Sequence, residues 1–154
     1  MSDYVRGLRA KVGHDLLFWP SVSTLVRDGD RILLVLQAGR RWGFPAGAVD
    51  PGETPAEAAR REAREEASIE VELVRLLGVF GGYPDFHGFY PNGDEVAWVT
   101  SLFEGCILSG TPAPGDDEIA EVRWATVDEA LALDLGSSAR HMLEAVLAGV
   151  TFDS

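Results

Sequence analysis

Glu62, Glu65 and Glu66 are spaced so that a helix through them gathers three carboxylates on one face. At about 100° per residue, with Glu62 at the origin, Glu66 falls about 40° to one side and Glu65 about 60° to the other. Like charges at i,i+4 repel by roughly 0.2–0.5 kcal/mol even in water, and a third carboxylate adds to that. A hard divalent cation would remove the cost, and an all-oxygen donor set suits magnesium. The same stretch also has the spacing of a solvated, salt-bridged surface, since Glu57 and Arg61, and Arg61 and Glu65, are four apart. From the helix alone both readings stand.

The elements that must position these side chains can be read outward from that helix. Thr54-Pro55-Ala56-Glu57 is a capping box with proline at the first helical position, and Ala, Glu and Arg run on to Ala67. Ala56, Ala59, Ala63 and Ala67 form a small-residue stripe that lets the helix approach a sheet closely, while Arg60 and Arg64 point to water. Residues 39–52, dense in Gly and Pro, read as an ordered loop. Residues 21–26 and 31–36 read as strands of a hairpin turning at Asp28-Gly29, and 69–80, 96–108 and 119–124 as further strands. Helices are expected over 3–11, 127–133 and 138–147, the last capped by Ser137 or Ser138, with long loops at 81–94 and 109–117. Strands around one strong helix, with more helix at the end, predict an α/β fold: an α/β/α sandwich with a mixed β-sheet.

The composition narrows the field. A chain of 154 residues suits a single domain over 1–154, and 46% apolar with 25% charged residues is an ordinary globular balance. Thirteen basic against 25 acidic residues give a formal charge of -12, which disfavours nucleic acid and anionic membrane as partners. No apolar run nears the roughly 18 residues a bilayer requires, and the first residues build no signal-peptide core, so a cytoplasmic location is expected. Cys106 has no partner for a disulfide and reads as a buried structural thiol. His14, His87 and His141 show no metal-ligand spacing, and no nucleophile elbow, P-loop or dinucleotide fingerprint is present.

The loop upstream decides between the two readings of the helix. Gly47, Glu53, Arg61, Glu62, Glu65 and Glu66 match position for position the Nudix box, G-x5-E-x7-R-E-U-x-E-E-x-G-U, of the Nudix hydrolase family, over residues 47–69. Ser68 stands in place of the glycine after the helix and Ala63 in place of the first bulky apolar residue. The chain also resembles the family in Trp42-Gly-Phe-Pro-Ala-Gly47 and in Glu121-Val-Arg-Trp124 with Asp128-Glu129.

The resemblance implies a magnesium- or manganese-dependent pyrophosphohydrolase acting on a small nucleoside diphosphate derivative. Nucleotide sugars or ADP-ribose come first, and nucleoside triphosphates second. Glu62, Glu65 and Glu66 would hold metal, with the Gly47 carbonyl as a further oxygen ligand. Arg61 would orient the carboxylates, and Glu53 would support the loop or a metal-bound water. Glu62 or Glu118 would serve as general base. Arg40 and Arg41 could grip a phosphate, and Phe44 belongs to a group of loop aromatics that could meet a base. A small-molecule nucleotide partner is expected, and base rates for small enzymes point to a homodimer. The alternative is a Nudix-fold regulatory module that senses a nucleotide without cleaving it.

Overall fold

The computed structural model describes residues 3–39 and 41–153. Helix α1 (Asp3–Val12) leads into strand β1 (Leu17–Asp28), which turns back through Gly29-Asp30 into β2 (Arg31–Gln37). Gly29 has a positive φ of 63°, the conformation a two-residue hairpin turn demands. The two strands pair over Arg27–Ile32 and Asp28–Arg31 and then part. The earlier part of β1 runs parallel to β7 (Glu95–Ser109), whereas β2 pairs antiparallel with β8 (Ile119–Thr126). Beyond β7 lies β5 (Glu70–Gly81), antiparallel to it. The sheet is therefore mixed, as expected.

Helix α2 (Pro55–Ala67) covers one face and α3 (Val127–Ala132) with α4 (Ser137–Leu147) the other. Alternation along β2 shows why. Leu33 and Val35 pack with Ala63, Ala67 and Ile69 under α2, while Ile32 and Leu34 pack with Ala130, Met142 and Leu143 under α3 and α4. Strands buried on both faces carry continuous apolar runs, as Ile32 to Leu36 of β2 do. Among the described residues no helix is long and apolar enough to cross a membrane.

Several expectations need correction. The 39–52 stretch is not all loop, because Trp42–Gly43 forms β3 against β2, and Ala46–Ala48 forms β4 against Ser21, Val22 and Ser23 of β1. Gly43, Ala46, Gly47 and Ala48 have weak strand propensity, and these two- and three-residue strands pair because a neighbouring strand edge offers them hydrogen bonds. For the same reason 81–94 contains β6 (His87–Phe89), paired with β7. Strand β1 begins four residues earlier than read, because Leu17 to Pro20 gain parallel partners on β7. The cap of α4 is Gly136, without a side-chain hydrogen bond, and Ser137 Oγ instead donates to the Asp85 carbonyl at 3.3 Å. Cys106 is half-buried, not buried, since its strand has β5 on one side only at that point.

Candidate active site

Helix α2 starts where the capping box places it. Glu57 N–H donates to Thr54 Oγ1 at 3.2 Å and Thr54 N–H to Glu57 Oε2 at 2.8 Å, so Glu57 is engaged with the cap and not with Arg61. Its alanine face is buried: Ala58, Ala59, Ala63 and Ala67 are each at most 1% exposed, while Ala56 is only half-buried. That contact seats the helix against the sheet and turns Glu62 and Glu66 toward β4, at Gly47 and Ala46.

Burial grades these carboxylates in a way their angular positions do not. The Glu65 side chain is 52% exposed and the Glu62 side chain 13%, while Glu66 is buried. Glu66 Oε2 accepts the Ala46 N–H at 2.9 Å and Oε1 accepts from Gln37 Nε2 at 3.2 Å. Burial nevertheless pushes the Glu66 carboxyl up to about 8, with the charges of Glu62 and Asp116 adding to the effect. Burial likewise raises Glu62 to about 7, Glu65 contributing and Arg61 opposing. Asp116 comes close because the 110–118 loop hugs the last turn of α2. Gly115 N–H donates to the Glu66 carbonyl at 3.2 Å, and a Cβ on Gly115 would lie 2.9 Å from the Glu65 carbonyl carbon.

Arg61 ties the site to the loop. Its Nε and Nη2 donate to Glu53 Oε1 and Oε2 at 2.7 and 3.0 Å, a bidentate pair, and Nη2 also reaches the Ala48 carbonyl at 3.0 Å. Its Nη1 donates to Glu62 Oε1 at 2.6 Å and to Glu65 Oε2 at 3.2 Å. Hydrogen bonding from Arg61 holds the Glu53 carboxyl below its ordinary range. Glu53 also accepts the Asp50 N–H at 3.1 Å, which closes the 50–53 turn.

Gly47 faces Glu62 directly. A Cβ built on it would overlap the Glu62 carboxylate, 2.7 Å from Oε2 and nearer still to Oε1 and Cδ. Only glycine leaves room for that carboxylate against β4.

The sequence-predicted residues fall into two groups. Gly47, Glu53, Arg61, Glu62, Glu65 and Glu66 form one connected set. The others sit elsewhere. Phe44 is 4% exposed in the main core with Trp42 and Leu34, so its ring packs against protein. Arg41 pairs with Asp134 at 3.3 Å, both largely exposed. Glu118 is exposed on the 110–118 loop, where its N–H donates to Asp116 Oδ1 at 2.9 Å. Arg40 lies outside the described residues. Sequence reasoning missed Gln37, Asp116 and the Ala46 N–H as neighbours of Glu66. The one available signal was a polar glutamine ending the apolar run of β2. Each histidine has a carboxylate partner away from this set: His14 with Asp94, His87 with Glu95, and His141 with Asp85 and Asp153.

The donor set fits a divalent cation by its chemistry. Two carboxyls carry raised pKa values from burial and mutual repulsion, the condition that a nearby positive charge relieves. In the described residues no three acidic, His or Cys side chains converge on one point, and Arg61 supplies the positive charge beside Glu62 and Glu65.

The NUDIX domain model matches residues 17–146 of the chain. The NAD-capped RNA hydrolase NudC of Pseudomonas syringae is 30% identical over 139 residues, covering 84% of this chain and 44% of that protein. The human 8-oxo-dGDP phosphatase NUDT18 is 39% identical over 111 residues, covering 67% of this chain and 30% of that protein. The chain spans less than half the length of these curated relatives. Among solved structures, a MutT NUDIX hydrolase from Burkholderia pseudomallei superposes with a TM-score of 0.70 at 27% identity, covering 83% of this chain and 97% of that one. An ADP-ribose pyrophosphatase from Streptococcus suis shares the fold at 22% identity and a TM-score of 0.67, covering 87% and 98%.

Proposed function

The chain belongs to the Nudix family, and from that premise we propose that it is a metal-dependent pyrophosphohydrolase of a nucleoside diphosphate derivative. Its Glu62, Glu65 and Glu66 carboxylates and the Gly47 carbonyl are the oxygen donors for magnesium or manganese. A bound divalent cation supplies charge neutralisation on the pyrophosphate and acidifies the attacking water. Water adds to one phosphorus, the bridging P–O bond breaks, and the products are a nucleoside monophosphate and a phosphorylated remainder.

The protein's own groups then have distinct tasks. Glu62, held by Arg61 beside the donors, is one base that could take the water's proton. Glu118, exposed on the neighbouring loop, is the other base of this reading. Arg61 holds Glu62 by its 2.6 Å contact and is itself braced by Glu53, so it acts as a positioning residue. Glu66, anchored by Ala46 and Gln37, keeps α2 and β4 in register around the donors.

The observation that carries this reading is the fit of Gly47 against Glu62. The box glycine and the box glutamate are fifteen residues apart in the chain, yet any side chain at 47 would displace the carboxylate. A solvated charged helix has no reason for that fit. The test is product release from ADP-ribose, nucleotide sugars, nucleoside triphosphates, and the NAD-capped RNA and 8-oxo-dGDP named for two relatives, with magnesium, manganese or a chelator. Turnover is expected with at least one of them, abolished by the chelator and reduced about 100-fold or more by Glu62→Gln. Tight binding with no turnover on every compound would favour the sensing module instead.

A further inference from the structure

We propose that His141 is a pH-sensitive clasp: its protonated ring ties the 150–153 segment, laid across the end of β5, to the 82–86 turn, and its neutral ring loosens that hold. None of these groups belongs to the set around Glu62, and nothing in the clasp depends on the hydrolase reading.

The 150–153 segment is built onto the sheet after α4. The Val79 N–H donates to the Thr151 carbonyl at 2.9 Å, the Gly81 N–H donates to Asp153 Oδ2 at 3.0 Å, and Phe152 bridges in parallel to Val79. The segment thereby covers the end of the β5 edge that faces away from β7. Gly78 makes the seat, since a Cβ built there would overlap the Thr151 carbonyl oxygen. Room left by a glycine, and two strand amides donating into it, mark a docked strap.

His141 fastens that strap to the rest of the fold. Its Nε2 lies 2.7 Å from Asp153 Oδ1 and its Nδ1 lies 2.9 Å from Asp85 Oδ2. Burial works against the Asp153 charge, but the Gly81 N–H and His141 hold that carboxyl below its ordinary range, so it stays an acceptor. Each contact therefore requires an N–H on the ring, and only the imidazolium carries both. The neutral ring has a single N–H, and its other nitrogen turns a lone pair toward the second carboxylate. Whichever proton leaves, the ring also loses the positive charge that both carboxylates share, so the hold weakens in either tautomer.

Among the described residues, those two carboxylates are the charged groups that face His141. Strand β5 presents the Phe80 ring and the 82–86 turn the Phe86 ring, with centroids 6.1 and 5.3 Å away. On α4 itself Arg140 turns to the Leu131 and Leu133 carbonyls, and Glu144 pairs with Arg140 at 3.7 Å. Burial disfavours the charged imidazole, and the bonds to Asp153 and Asp85 outweigh it, so the His141 pKa lies above its ordinary 6.5. The clasp is fully closed below that ordinary value and loosens as pH rises through the raised one. The side chains of His141, Asp85 and Asp153 are 31%, 35% and 32% exposed, so water can carry the proton to and from the ring.

The experiment is histidine NMR and amide hydrogen exchange on the full chain, with no assay of turnover. The His141 ring protons should titrate with a midpoint above 6.5, and Asp153→Asn should lower that midpoint. Protection of the Val79 and Gly81 amides, taken relative to the intrinsic rate at each pH, should fall about tenfold or more between pH 5 and pH 8. His141→Gln, which cannot titrate, should give low protection at both pH values and so abolish the difference at these two amides, while the β2 amides keep their parental behaviour. Asp153→Asn, which keeps an acceptor for Gly81 and removes the charge, should flatten the same difference. A His141 midpoint at or below 6.5, protection of Val79 and Gly81 that does not change with pH, or a change that survives His141→Gln overturns the clasp.

Discussion

Replacing Gly47 with alanine should preserve the fold and remove most of the activity. Gly47 is not among the positive-φ glycines, so alanine meets no backbone penalty there. The new methyl would lie 2.7 Å from Glu62 Oε2 and nearer still to Oε1, against a carbon contact distance of about 3.5–4.0 Å. The obstructing atoms are the end of a flexible side chain, so the carboxylate should yield, by about 1 Å or more, in preference to strand β4. That movement breaks the 2.6 Å contact with Arg61 and shifts a catalytic oxygen, and misplacement by 1 Å can cost about 100-fold in rate. The expected loss in kcat/KM is therefore about 100-fold, or about 2.7 kcal/mol in the barrier. The variant retains its carbonyl at 47, so the experiment isolates the space the glycine leaves. The assay pairs kcat/KM on the best substrate of the panel with a thermal melt, where Tm should stay within about 2 °C. A kcat/KM within threefold of the parent would refute the steric argument. So would a large fall in Tm, which would mean that the strand moved and not the carboxylate.

Two further outcomes follow from the same structure. Glu62 and Glu66 hold protons in the folded state that the unfolded chain releases above its ordinary value near 4.5, so their contribution to stability is complete below that pH and is lost as pH rises toward 7 and 8. His141 adds a slope of the same sign, present below its ordinary 6.5 and lost above it: burial lowers its pKa, but bonds to Asp153 and Asp85 raise it further. Chelator-treated protein should therefore melt lower at pH 8 than at pH 5, and Glu66→Gln should flatten that difference; an unchanged slope in the variant would refute the burial argument. Ser68 ends α2 in the left-handed region at φ 58°, where a non-glycine residue costs about 1–2 kcal/mol. Ser68→Gly should raise Tm by about 2–4 °C once glycine's greater freedom in the unfolded chain is discounted, and an equal or lower Tm would show that the serine is not strained.

The parts of this protein that could be read in advance are those set by neighbours in the chain. The Thr54–Glu57 cap, the Gly29 turn, the double-sided apolar run of β2 and the shared face of Glu62, Glu65 and Glu66 are all local consequences of side-chain shape and helical or strand period. Strands β3, β4 and β6 were not legible, because their residues pair only where another strand presents an edge. The left-handed Ser68 lay between these cases: the motif calls for glycine there, and the structure shows the chain taking that conformation with serine.

The identity of the three carboxylates was written in the sequence, but their inequality was not. That Glu66 is buried while Glu65 is half-exposed depends on Gln37, Ala46 and Asp116, which lie 29, 20 and 50 residues away along the chain. The carboxylates on either side of His141 likewise meet it only because the 82–86 turn and the 150–153 segment fold against α4. Spacing along a helix determines which groups can share a face. Desolvation and Coulomb interactions depend on distance through space, so the tertiary structure alone decides which of those groups are buried, which are paired, and what lies beside them.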